Sequence, residues 1–198
     1  MTQVTEHKLP LGVRASFGPL PPLAGKFSGP AIVLGRADGW VDELDAAFAL
    51  TEHEAPVFAV NGHVEAHYPG CVFEHEVSIH CQGFPGSTER REDVTYHAEK
   101  PLSNCPNADV FWPIPGMGAG SSALLAVYIA LNMGYAPVYV AGVKLSLHQV
   151  VDIGNGQKLV RDYRFYRDGW GPVARELRGR VFSMGKPGDF LFDLLGGA

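Results

Sequence analysis

Apolar positions fall along this chain in two rhythms. Three short runs, AIVLG at 31–35, PVFAVN at 56–61 and the segment 137–143, have strand length and no polar alternate face. That is the pattern of strands covered on both faces of a parallel sheet. Between the first two runs, WVDELDAAFAL (40–50) sets Val41, Leu44, Ala47 and Phe48 on one helical face. A second helix, 121–133, is apolar almost all round, as a helix inside a core is. VFEHEVSIH (72–80) alternates and reads as a strand with one less apolar face. From 81 to 107 Gly, Pro, Ser and charged residues dominate, so only VTYHA offers a strand there and a surface excursion is predicted. VFWPI (110–114) is a strand or its approach, and 148–160 reads as a loop around DIGNG. Residues 162–179 read as a partly amphipathic helix broken near Gly169 to Pro172, VFSM (181–184) as a last strand, and PGDFLFDLL as closing helical turns.

Strands alternating with helices predict an α/β protein, a three-layer Rossmann-like fold with a mainly parallel central sheet. Residues 1–29, with Pro10, Pro21 and Pro22, read as an extended arm that wraps the domain or a neighbour, and 30–198 as a single domain. In such folds ligands sit beyond the carboxyl ends of the strands, where strand order reverses. The positions to weigh are therefore Gly35 to Gly39, Asn61, His80, the turn 116–122 and the segment 144–148.

Charge and composition narrow the function classes. A net charge of −5 argues against a grip on duplex nucleic acid, which needs clustered Lys and Arg. No apolar run reaches the roughly 18 residues of a membrane span, and the first residues lack a secretory pattern. The expectation is a cytoplasmic protein, or one associated with a virion, without a membrane partner. Cys71, Cys81 and Cys105 are odd in number and lack CxxC spacing, so reduced thiols are expected.

Each candidate motif has a plain structural reading beside its functional one. GRADG, with Gly35, Asp38 and Gly39, sits where strand hands over to helix; its amides suit a phosphate or ribose, while Asp38 equally suits a helix cap. Asn61 ends a buried strand with an amide able to donate and accept, or satisfies a turn with Gly62. GMGAGSS, with Gly118, Gly120, Ser121 and Ser122, permits close backbone approach and oxyanion contacts, where a cap alone needs one serine. His148 and His80 lie past strand ends, where a neutral imidazole is a competent general base, as well as being ordinary surface positions. His63, His67, Cys71, His75, His80 and Cys81 fall close together, but Pro69 and Gly70 interrupt any helix and no zinc spacing emerges, so no metal is expected.

The order GPAIVLG, VFAVN, GAGSSALLAVYIALNMGYAPVYVAGV resembles a Rossmann-like group. It includes bacterial sialyltransferases that use cytidine-monophosphate sialic acid and proteins similar to archaeal hydroxymethyl-dihydropterin pyrophosphokinase. It also includes small phage- and prophage-encoded proteins. The resemblance covers roughly 29–148. It implies a nucleotide or nucleotide-sugar donor held at Gly35, Asn61, Ser121 and Ser122, with His148 as base for an acceptor hydroxyl. The group's usual Gly-x-Gly-Pro-Ser turn reads GRADG here, and Lys144 stands where the group often carries an acid. The implied activity is a glycosyltransferase-like transfer. The alternative is a non-catalytic accessory that contacts phage virion proteins, and self-association is left open.

Overall fold

The computed structural model describes residues 20–61, 73–80, 84, 90–114, 121–154 and 157–198. Seven strands form one sheet: β1 (Ala31–Leu34), β2 (Val57–Val60), β3 (His75–Ser78), β4 (Thr95–Ala98), β5 (Val110–Phe111), β6 (Val138–Ala141) and, late in the chain, β9 (Val181–Ser183). Their order is β5-β4-β3-β2-β1-β6-β9 and every pairing is parallel. Order reverses at β1, so the crevice between β1 and β6 is the switch point.

Successive side chains of a strand face opposite ways, and this divides the core in two. Val33, Phe58, Val77 and Val140 pack against helix α2 (Ser121–Met133), together with Trp170, Leu177 and Leu191 from the short helices α3 (Arg167–Trp170), α4 (Ala174–Leu177) and α5 (Phe190–Leu195). Ile32, Leu34 and Ala59 pack on the other face against Trp40, Leu44 and Ala47 of α1 (Trp40–Leu50). Three layers result, as the sequence pattern predicts. All of α2 from Ser122 onward is buried, which explains its lack of a polar face.

Two segments depart from expectation. Residues 149–154 and 157–161 are paired strands rather than a loop: β7 (Gln149–Gly154) pairs antiparallel with β8 (Gln157–Arg161). The pair docks where Asp38 N–H donates to Val150 O (3.0 Å) and Ala37 bridges Val151. Within 81–107, the strand expected at VTYHA is present as β4, but in the interior of the sheet and not in a surface excursion: it is hydrogen-bonded on both sides and Tyr96, His97 and Ala98 are buried. The Trp112 indole N–H donates to His97 Nδ1 (2.9 Å), and His97 Nε2 lies 3.1 Å from His75 Nδ1. His75 stacks on Phe58 with ring centroids 4.3 Å apart.

The end of the proline-rich arm wraps the domain itself. Gly25 and Phe27 donate to the carbonyls of Asn132 and Met133, and Leu20 and Leu23 pack on the α2-side core. Cys105 is fully buried and disulfide-bonded, which corrects the expectation of reduced thiols. An odd cysteine count leaves room for one bridge and one residue over. Among the described residues no helix is long and apolar enough to cross a membrane.

Candidate functional site

Strand register brings the candidates to one rim. Leu34 sits level with Ala59 and Ala141, and Val60 with Val77, so Gly35, Asn61, Ile79 and Gly142 emerge at similar heights beyond the sheet. There they line a cavity of about 110 Å³, closed from the α2 side by Ser121 and Ser122. His80 joins them from beyond β3, Arg36 from the first turn, Gln149 and Val151 from the hairpin, and Tyr163 and Tyr166 from the segment entering α3. Gly35, Asn61, Ser121, Ser122 and His80 thus share one site.

Its floor is a small hydrogen-bond hub. The Ser122 hydroxyl accepts the Ile79 N–H (3.1 Å) and donates to Asn61 Oδ1 (2.9 Å). The Ser78 hydroxyl stands 2.9 Å from Asn61 Oδ1 and 2.8 Å from the His80 carbonyl, with one proton to give between them. Ser78 and Ser122 are buried, so both hydroxyls must find such partners. The backbone is strained around this hub: Asn61 (φ 60°), Ser121 (φ 69°) and Leu145 (φ 51°) are non-glycine residues in the left-handed region. Such conformations persist where the surrounding structure over-determines them.

The first turn behaves differently on its two sides. Gly35 faces the cavity, and its tight contact with the Gly142 carbonyl leaves no room for a side chain. Asp38 and Gly39 do not line the cavity. Gly39 is the left-handed N-cap of α1 (φ 83°), and exposed Asp38 pairs with Lys158 at 2.8 Å, which holds its carboxyl below the ordinary range. Glu43 accepts the Gly142 N–H (2.7 Å) beside Lys144, and burial pushes its carboxyl up. Asp38 and Glu43 at the start of α1 are thus each engaged by a lysine, and Glu43 already occupies the Gly142 N–H. Polar ligand chemistry is available on the α2 side instead.

His148 is exposed, at φ 54°, at the entrance to β7 and is not part of the cavity lining. Gly118 and Gly120 lie outside the described residues, as do His63, His67, Cys71 and Cys81. Among the described residues no group of three or more His, Cys, Asp or Glu is placed to hold a metal ion. Sequence reasoning missed Arg36, Gln149, Tyr163 and Tyr166. The tyrosines, spaced i, i+3 with rings stacked 6.0 Å apart, were legible as an aromatic pair in YRFYRDGW. Gln149 was hidden because its strand was read as a loop.

A larger open depression of about 700 Å³ lies at the opposite rim, lined by Glu52, Glu54, Glu74 and Lys26. Volume alone would favour it. Its three carboxylates are exposed and sit at the amino ends of the strands, away from the switch point, so the smaller cavity is the better candidate. No family model, curated protein or solved structure matches this chain.

Proposed function

We propose that this protein is a nucleotide-sugar-binding transferase of the glycosyltransferase-like kind, working at the cavity beyond β1, β2 and β3. The observation that carries the reading is the convergence of Gly35, Asn61, Ser121 and Ser122 with His80 around one space. In this reading the cavity holds the phosphate or sugar next to the scissile bond, and the rest of the donor extends over Tyr163 and Tyr166. A volume of about 110 Å³ takes one such group, well below the roughly 300 Å³ that encloses a whole drug-sized ligand. His80, exposed at the mouth, is the base. The acceptor oxygen forms its bond to the anomeric carbon, the bond from that carbon to phosphate breaks, and the phosphate leaves with the electron pair. The acceptor proton goes to the imidazole.

A thermal-shift panel of nucleotides and nucleotide sugars tests this. A binder at a hundredfold excess over Kd gains about 2.7 kcal/mol, or about 5–10 °C for a chain of this size. His80→Gln should then retain binding and lose turnover. No shift with any member would overturn the transferase and favour the non-catalytic accessory, for which the smallness of the cavity speaks.

A further inference from the structure

The two ends of the Asn61 amide are not interchangeable in this structure. Ser122 Oγ accepts the Ile79 N–H and donates its single proton to Asn61, and the atom receiving it is an acceptor. Ser78 Oγ, 2.9 Å from the same atom, divides its one proton between that atom and the His80 carbonyl (2.8 Å), so the assignment rests on Ser122. That atom is Oδ1, and a flipped amide would take this acceptor away from the Ser122 proton. The Nδ2 group is left on the cavity side with two protons that no described residue accepts. Asn61 directly follows β2, and its backbone N–H is still held to the sheet by the Val77 carbonyl (3.1 Å).

The rest of the lining has the same polarity. Arg36 is the one Lys or Arg among the described lining residues, and none of them is Asp or Glu, in a chain whose net charge is −5. Among the described residues the lining carries no carboxylate, in an acidic protein, and with a pair of N–H donors at its floor it selects for an acceptor and against an ammonium. We infer that Asn61 is a specificity-determining residue that seats an oxyanion, a phosphoryl or carboxylate oxygen of the ligand, through Nδ2. This rests on the cavity being the ligand site proposed above.

Asn61→Asp separates this role from a structural one. Aspartate tolerates the left-handed backbone, and its carboxylate still accepts from Ser122, so the hub survives. Only the side facing the cavity changes, from two donors to a negative acceptor. Binding of orthophosphate, pyrophosphate, glucuronate, UDP-glucose and CMP-N-acetylneuraminate is measured calorimetrically on both proteins. The expected result is binding by wild type and a loss of at least about tenfold in N61D, since hydrogen bonds to charged groups are the strong ones. Phosphate against glucuronate tells which oxyanion is taken. In parallel, the side-chain amide resonance of Asn61 in the wild-type protein should move on titration, a readout that needs no variant to fold.

The outcomes separate the two claims. Nucleotide sugars that bind wild type and N61D alike, with the Asn61 amide signal unmoved, overturn the oxyanion assignment and leave the transferase standing. Simple oxyanions that bind and are lost in N61D, with no nucleotide binding, sustain the assignment and overturn the transferase. Wild type that binds none of the five overturns both.

Discussion

Acid should loosen this protein through one buried pair. His75 and His97 share a hydrogen bond on the α2 side of the sheet, and His97 is fully buried. Because the Trp112 N–H claims His97 Nδ1, the proton of that ring is on Nε2 and is given to His75 Nδ1. A further proton on either inner nitrogen sets donor against donor. Burial lowers His75 from 6.5 to about 4, and burial with repulsion from His75 lowers His97 to about 3. Both values fall on folding, so the unfolded chain takes up protons first. Stability is therefore unaffected above about pH 6.5, declines as pH falls toward the folded values, and levels off below them. At pH 5 each ring has lost one and a half pH units at about 1.4 kcal/mol per unit, or about 4 kcal/mol for the pair. That is a large part of a typical 5–15 kcal/mol. Urea unfolding at pH 7.5, 6.5, 5.5 and 5 measures it, with a His75→Gln/His97→Gln double variant as control. Glutamine keeps a donor and an acceptor without ionising, and the opposing effect of Glu43 is common to both proteins and cancels. A wild-type drop under 1 kcal/mol, or an equal drop in the double variant, would refute the reasoning.

Gly35→Ala should lower stability by about 1–3 kcal/mol and abolish ligand shifts, because the added carbon meets the Gly142 carbonyl and comes within 2.7 Å of Val143 Cγ2. Unchanged melting would show that β1 and β6 separate more easily than their packing implies. Peptide mapping without reductant should find Cys105 joined to Cys71 or Cys81, and reduction should cost about 2–4 kcal/mol; three free thiols would contradict the bridge.

The parts of the fold legible in sequence are those where one periodicity dominates. β1, β2, β6 and α2 are apolar on every side because each is covered on every side, and α1 keeps a single apolar face. β4 was legible as a strand in VTYHA, but its place inside the sheet was not, because it carries His97, which is tolerable there only through the partners it finds on β3 and at Trp112. No local pattern reports a partner supplied by another strand. The hairpin was a different failure: Gly and Asn in DIGNG outweighed the alternation on either side, although Asn155-Gly156 between two such runs is itself a hairpin signal. At the site, Gly35, Asn61, Ser121, Ser122 and His80 were legible from the rule that strand ends hold ligands. Arg36, Gln149 and the tyrosines come from a turn and from segments whose docking only the fold decides.

The hairpin has one more implication, for the wall it gives the pocket. A two-stranded ribbon is marginal in isolation, and β7 and β8 take their place from the bridge at Ala37, the Asp38 N–H and the Lys158 pair with Asp38. Those anchors all lie where β1 hands over to α1. The hairpin wall of the pocket is thus hung on two consecutive residues of one turn, and its position follows theirs.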